Sequence, residues 1–547
     1  MDRKKIMHKS SFVKGAFITT LGIVITKILG ILYVIPFHAV IGDEGGALYG
    51  YAYTIYLLFM SLSSAGIPLA ISKLVSEYQT LGYYSAKKRA FIIGKKIALI
   101  LGALCFVILI VFAPLMAKMI LGDLVGGNTI KDVTLVIRVI ATAILVVPIL
   151  SVYRGYFEGH RFMSPPSISQ VLEQLVRVLI IIFGSYLAFK VFKLPLAVAV
   201  GVALLGATLG AFVSYIYLYI KKRKNNSKFS EKIMSVNEPI ITNKQIFKKL
   251  MIYAVPFIMI DVFKAMYSYI DMNTVVKGLV NRAVFSVSEA ETIMSMLSTW
   301  GAKFNMIILA ISTGIVVSLI PNLTQSVVKN NQKDIEKKIN QALNILLFLV
   351  VPMTIGISFL AKPIWTLFYG ASKYGSSVLA YFIFVGLFMA LFTAIVSIVQ
   401  VLKDYKIVFW SLFSGVILKL LLNYNLITAF YKMGLPAYYG VITATILGYL
   451  VSFIICFVAL HFKYKINYES SVKNFVNILC GTMVMMIVLL ICKLFIPVGS
   501  SSRIINLFII LIYTIIGGAT YLGFMHYLGT IKEVFGNKVY SFLKKDR

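Results

Sequence analysis

Fourteen stretches of this chain are predominantly apolar for about 20 residues or more, long enough as helices to cross the roughly 30 Å hydrocarbon layer of a bilayer. No water is available there, so each backbone polar group must be satisfied within a helix or a closed barrel. None of the stretches alternates with the period of two that barrel strands need. The expected fold is therefore an all-α polytopic membrane protein of about 14 transmembrane helices. The spans are read at 12–41, 50–72, 91–116, 132–153, 168–189, 195–220, 250–276, 296–322, 342–361, 376–401, 407–427, 438–460, 474–496 and 504–528.

The rest of the composition agrees. The chain is 59% hydrophobic and 13% charged, against roughly 45–50% apolar residues in soluble domains. Its formal charge of +33 would suit nucleic acid or anionic lipid, and the placement of the cations decides between them. With the N-terminus inside, the connections on that side, counted with the span ends that hold Lys14, Lys95 and Lys96, have 36 Lys and Arg, those on the other side hold 10, and the remaining seven lie within spans. That is the asymmetry of cytoplasmic loops, so the charge reads as topology and contact with anionic phospholipid, not nucleic acid. Both termini are expected in the cytoplasm of a cell bounded by this membrane. The basic start, "MDRKKIMHKSSFVKG", leads into an apolar stretch too long for a cleaved signal and reads as a retained first span. Cys105, Cys456, Cys480 and Cys492 sit singly in apolar runs and read as small hydrophobes.

The chain resembles itself. "SSAGIPLAISKL" sets Gly66 opposite Gly314 of "ISTGIVVSLIPNL", and Pro114 and Gly122 find counterparts in Pro363 and Gly370 at nearly the same offset. A six-plus-six duplication follows: an N-terminal lobe at 1–220, a basic linker at 221–249, a C-terminal lobe at 250–461, and two further spans with a tail at 462–547. Transporters are commonly built from such repeats. After the second span of each half come the basic stretches "KLVSEYQTLGYYSAKKRAFIIGKK" and "SVVKNNQKDIEKKINQ", read either as amphipathic helices on the membrane surface or as solvated connectors.

Apart from Lys14, Lys95 and Lys96 near the cytoplasmic span ends, seven cations fall within the spans: Lys27, Arg138, Arg177, Lys264, Lys303, Lys419 and Lys493. Apart from Asp132 at the start of span four, only Glu173, Asp261 and Asp271 accompany them. Each such charge costs about 2.5–3.5 kcal/mol at a helix centre, so it is expected to face a polar interior. Lys493 lies near a span end and can snorkel to the interface. Trp300, three residues before Lys303, is expected at the outer interface. Asp261 and Lys264, at i and i+3, are spaced for a local ion pair, as are Glu173 and Arg177 at i and i+4. Asp261 and Asp271 are the ion-coupling candidates. In "YRGYFEGHRFMSPPSISQVLEQLVRV", Arg154 and Arg161 read as ordinary residues of a cytoplasmic turn. Glu173 and Arg177 read as either a structural pair or one that faces a transport path.

The surplus of cations points to an anionic substrate. No nucleophile elbow, zinc-binding helix or phosphate-binding glycine loop is present, so the chain is expected to be a transporter, not an enzyme. No cofactor or metal is implied. A cation-coupled drug antiporter would show the opposite charge bias, and a scaffold would leave the intramembrane charges without a use.

The plan of fourteen spans in two repeats resembles the multidrug/oligosaccharidyl-lipid/polysaccharide flippase superfamily. "TKILGILYVIPF", "IGDEGGALYGYAY", "LSSAGIPLAISKLVSEY" and "YRGYFEGHRFMSPPSISQVLEQLVRV" are similar to its lipid II flippases of the MurJ type, in the Gram-positive branch that includes stage V sporulation protein B. The resemblance covers essentially the whole chain. It implies a flippase for an undecaprenyl-pyrophosphate-linked precursor of peptidoglycan or spore cortex, acting in the bacterial cytoplasmic membrane. Another polyprenyl-linked polysaccharide unit is the alternative substrate. Basic residues in a central cavity would hold the diphosphate, and Lys27 and Lys303 stand where the family has arginines. Lys264, Arg177, Glu173, Arg138 and Lys419 complete the substrate-binding candidates. The Arg-Asp pair of Gram-negative members is replaced by Tyr33-Val34. Ion coupling or the membrane potential would supply the energy, and cell-wall synthesis proteins are the expected partners.

Overall fold

The computed structural model describes residues 25–225 and 239–536. The basic N-terminus, the first half of span one, the middle of the linker and the end of the tail lie outside them. The chain forms two compact units, 1–273 and 274–547, and the division falls inside the long helix Asn243–Ala283.

Among the described residues, twelve helices are long and apolar enough to cross a membrane. They account for the fourteen spans in two steps. Spans one and two share the single run Ile25–Leu81, broken where Gly42 takes φ 64° and again at Gly66, with φ 72°. Span seven is the continuous helix Asn243–Ala283, which carries Asp261, Lys264 and Asp271 and is not among the twelve.

Local chemistry sets several helix ends. Thr129 and Asp132 form a reciprocal capping box that starts span four, and Ser286 with Glu289 does the same ahead of span eight. Each satisfies N–H groups that a helix start leaves open. Gly122 and Gly370, paired in the sequence repeat, both take positive φ and both end helices. Gly66 and Gly314 do not match in this way. Gly66 breaks its helix, whereas Gly314 lies within the unbroken helix Ala302–Val328.

The two basic stretches are not independent surface helices. The first is split at Gly82, and its second part opens the 38-residue helix Tyr84–Leu121 that becomes span three. The second turns at Asn331, whose side chain caps the helix Gln332–Phe359, and runs on as span nine. Trp300 is fully buried, its ring 5.6 Å from that of Tyr369, and so is not an interface anchor.

In the second unit, span nine and the final spans share one core. Phe348 and Val351 pack with Ile478, Met485, Leu489, Ile509, Tyr513 and Tyr521, and the Tyr521 hydroxyl donates to the Phe348 carbonyl at 2.9 Å.

Polar contacts between connections follow the alternation of the spans. Asn128 reaches the Glu44 carbonyl, Lys249 pairs with Glu77, Lys373 with Glu289, Lys463 with Asp404 and Lys473 with Glu533. Each of these contacts joins two connections that the sequence places on the same membrane face.

Candidate functional site

Span five carries a cluster of charged side chains. It begins at Ser164 after a tight turn and runs as an α-helix to Leu179. It then widens into π-helical turns at Ile180–Gly184 and Leu187–Val191, a geometry frequent at functional sites. Glu173 and Arg177 lie one turn apart on it, and Arg177 Nη2 donates to Glu173 Oε1 at 2.5 Å.

A third member comes from span four. Arg154 Nη2 donates to the other carboxylate oxygen, Glu173 Oε2, at 2.7 Å, and its Nε donates to Ser169 Oγ at 3.0 Å. All three side chains are largely shielded, at 17%, 14% and 16% exposure for Arg154, Glu173 and Arg177. Arg154 is thus not the solvated turn residue that the sequence suggests. Its signal was present in the chain. A tight turn near residues 160–163 folds spans four and five into a hairpin, placing Arg154 and Glu173 each roughly two to three turns from the bend.

Small residues bring a third helix against this pair. A Cβ added to Gly206 of span six would lie 2.8 Å from the Arg177 carbonyl, and one on Gly210 would lie 2.6 Å from that of Glu173. Only glycine permits this approach. The hydroxyl of Ser214, one turn further on, donates to the Ser169 carbonyl at 2.6 Å.

Aromatic rings of span two complete the cluster. Tyr49 and Tyr53 stack at 5.6 Å, and Tyr53 lies 5.6 Å from Tyr56. These tyrosines lie within electrostatic reach of Arg177. Two guanidiniums share one carboxylate, so the trio keeps one net positive charge. Arg177 Nε is buried without a hydrogen-bond partner. Chemically this is an anion site: planar donors fit a phosphate's oxygens, and the tyrosines supply a polar wall.

The remaining candidates are dispersed. Lys27 is exposed on the helical segment of span one. Gly30, one turn on, faces Gln174 of span five at 3.7 Å from where its Cβ would be, so span one passes beside the trio. Arg138 is exposed and donates to the Ile110 carbonyl of span three at 3.3 Å. Asp261, Lys264 and Asp271 are half-buried on span seven, and no ion pair joins Asp261 to Lys264 among the described contacts. In the second unit, Lys303 is half-buried in the first turn after the π-helical stretch Met296–Trp300. Lys419 is fully buried and donates to Thr445 Oγ1 at 2.6 Å. Among the described residues, no group of three or more His, Cys, Asp and Glu side chains is placed to hold a metal ion.

Comparison with known proteins places these features. The model of a family described as polysaccharide biosynthesis protein matches residues 12–323, and the MatE model matches residues 298–425. The lipid II flippase MurJ of Bacillus subtilis (strain 168) is 33% identical over 98% of this chain and 99% of its own length. Stage V sporulation protein B of the same organism is 32% identical over 46% of each chain. A solved structure of lipid II flippase MurJ in an inward closed conformation superposes with a TM-score of 0.64 at 16% identity, covering 94% of this chain and 98% of that one. An inward-facing multidrug resistance MATE family transporter of the MOP superfamily gives 0.62 at 12% identity, covering 82% of this chain and 98% of its own. At these identities the two superpositions speak for the fold.

Proposed function

The chain belongs to the polysaccharide biosynthesis protein family and, within it, to the family of the lipid II flippase MurJ, and on that premise we propose that it carries lipid II across the bacterial cytoplasmic membrane. It is a transporter, and its cargo is an undecaprenyl-pyrophosphate-linked precursor moved from the inner to the outer leaflet by alternating access. The arrangement that supports this reading is the Arg154–Glu173–Arg177 trio, a net cationic site built from spans four and five in a full-length relative of a lipid II flippase.

Arg177 accepts the diphosphate, and Lys27, exposed on the neighbouring span, adds a second positive charge where the headgroup enters. Lys264 adds a further cation on span seven, while the polyprenyl chain stays in the bilayer. Both termini face the cytoplasm. Outward movement of an anion from a negative-inside cell is favoured by about 2.3 kcal/mol per charge per 100 mV. Asp261 and Asp271 are the groups through which an ion would couple to the return of the empty carrier.

The test is complementation of cells depleted of their own lipid II flippase. The wild-type chain is expected to restore growth, and Lys27→Ala and Arg177→Gln to lose it at equal protein level. Full rescue by both variants would remove the charge role. A wild-type chain that fails to rescue but moves another polyprenyl-linked glycan would replace the cargo.

A further inference from the structure

We propose that Arg154 is a positioning residue for anion binding: by holding one oxygen of Glu173, it keeps Arg177 from being closed off by that carboxylate. The inference rests on Arg177 receiving the diphosphate.

A carboxylate beside a lone guanidinium settles into a two-pronged contact, both oxygens against two N–H groups. Such a pair is neutral and its donors are spent. Here the carboxylate is divided. Arg154 takes Oε2 at 2.7 Å, leaving only Oε1 for Arg177 at 2.5 Å. Arg177 therefore touches Glu173 through one nitrogen, and its Nε remains without a partner in a buried setting. Arg154 is itself fixed by Ser169 Oγ at 3.0 Å, and Ser169 is fully buried and held through its carbonyl by Ser214. The anchor is built on spans four, five and six, and the residue it frees lies one turn beyond Glu173 on span five. A purely structural ion pair needs one arginine. The second changes the site from neutral to cationic and divides the labour, one guanidinium as anchor and one as receptor.

The measurement is binding of undecaprenyl diphosphate to the full chain in detergent, with a thermal melt for every variant. Wild type should bind and Arg177→Gln should not. Arg154→Gln should weaken binding about tenfold or more, the scale of a lost charge-assisted hydrogen bond. Adding Glu173→Gln to Arg154→Gln should restore binding, because no carboxylate remains to occupy Arg177. Glu173→Gln alone should bind at least as tightly as wild type, and this arm stands even where Arg154→Gln lowers the melt. Arg154→Lys, which keeps the charge but holds the carboxylate by a single point, should fall between wild type and Arg154→Gln.

Arg154→Gln binding like wild type, no recovery in the double variant, or weaker binding by Glu173→Gln would each overturn the positioning role while Arg177→Gln still reports on the site. Wild type that does not bind the diphosphate overturns the parent reading, and this inference with it.

Discussion

Lys27 and Lys419 show how differently two intramembrane cations can be held. Lys27 is exposed on its helix, so Lys27→Ala is expected to leave thermal stability within about 0.5 kcal/mol of wild type while abolishing translocation. A melt and a flipping assay on the same preparation check both halves. Lys419 is fully buried and bonded to Thr445. Lys419→Ala empties a packed volume and removes a donor, and is expected to destabilise the chain by about 2–5 kcal/mol, read as a lowered melting temperature. The sequence identified both as cations in apolar surroundings. Whether each faces outward or into the core follows from helix rotation, which a net hydropathy does not encode.

At the scale of helices and their connections, the two halves diverge where the repeat pairs Gly66 with Gly314. A Cβ on Gly66 would lie 2.5 Å from the Ala254 carbonyl, at a φ of +72°. Gly66→Ala therefore combines a backbone clash with left-handed strain of about 1–2 kcal/mol. Gly314 has open space around it inside a helix, so Gly314→Ala is expected to be neutral or to stabilise by up to about 1 kcal/mol. Paired thermal melts should show opposite signs for substitutions that the sequence repeat makes equivalent.

Asp404 gives this scale a pH dependence. Burial alone would raise its carboxyl pKa, but the Lys463 ammonium and the Tyr464 hydroxyl outweigh that and hold it below the usual value. A depressed folded pKa stabilises the fold above the unfolded value, about 3.9 for Asp. That contribution is lost as pH falls through the folded value. Stability measured from pH 6 downward should drop less steeply in Asp404→Asn than in wild type.

For the whole molecule, the polar contacts between connections divide into two sets, one for each membrane face. In a cysteine-free background, cysteines placed at Lys131 and Lys432 are expected to react with an impermeant thiol reagent in intact cells. Those at Lys224 and Lys406 should react only after permeabilisation. The opposite pattern would invert the proposed orientation.

The spans and their order were legible from the chain by itself, because insertion into a bilayer depends on apolar character summed along about 20 consecutive residues. The pairings were not. Glu173 and Arg177 could be read as neighbours because one helical turn joins them, but Arg154 reaches the same carboxylate only through the way spans four and five pack. Asp261 and Lys264, spaced for a pair, interact electrostatically but form no ion pair among the described contacts, because helical spacing permits a pair without requiring it. Hydropathy is additive along a sequence, whereas a salt bridge depends on ångström distances between helices. Those distances are set by glycines such as Gly206 and Gly210 that let two backbones meet.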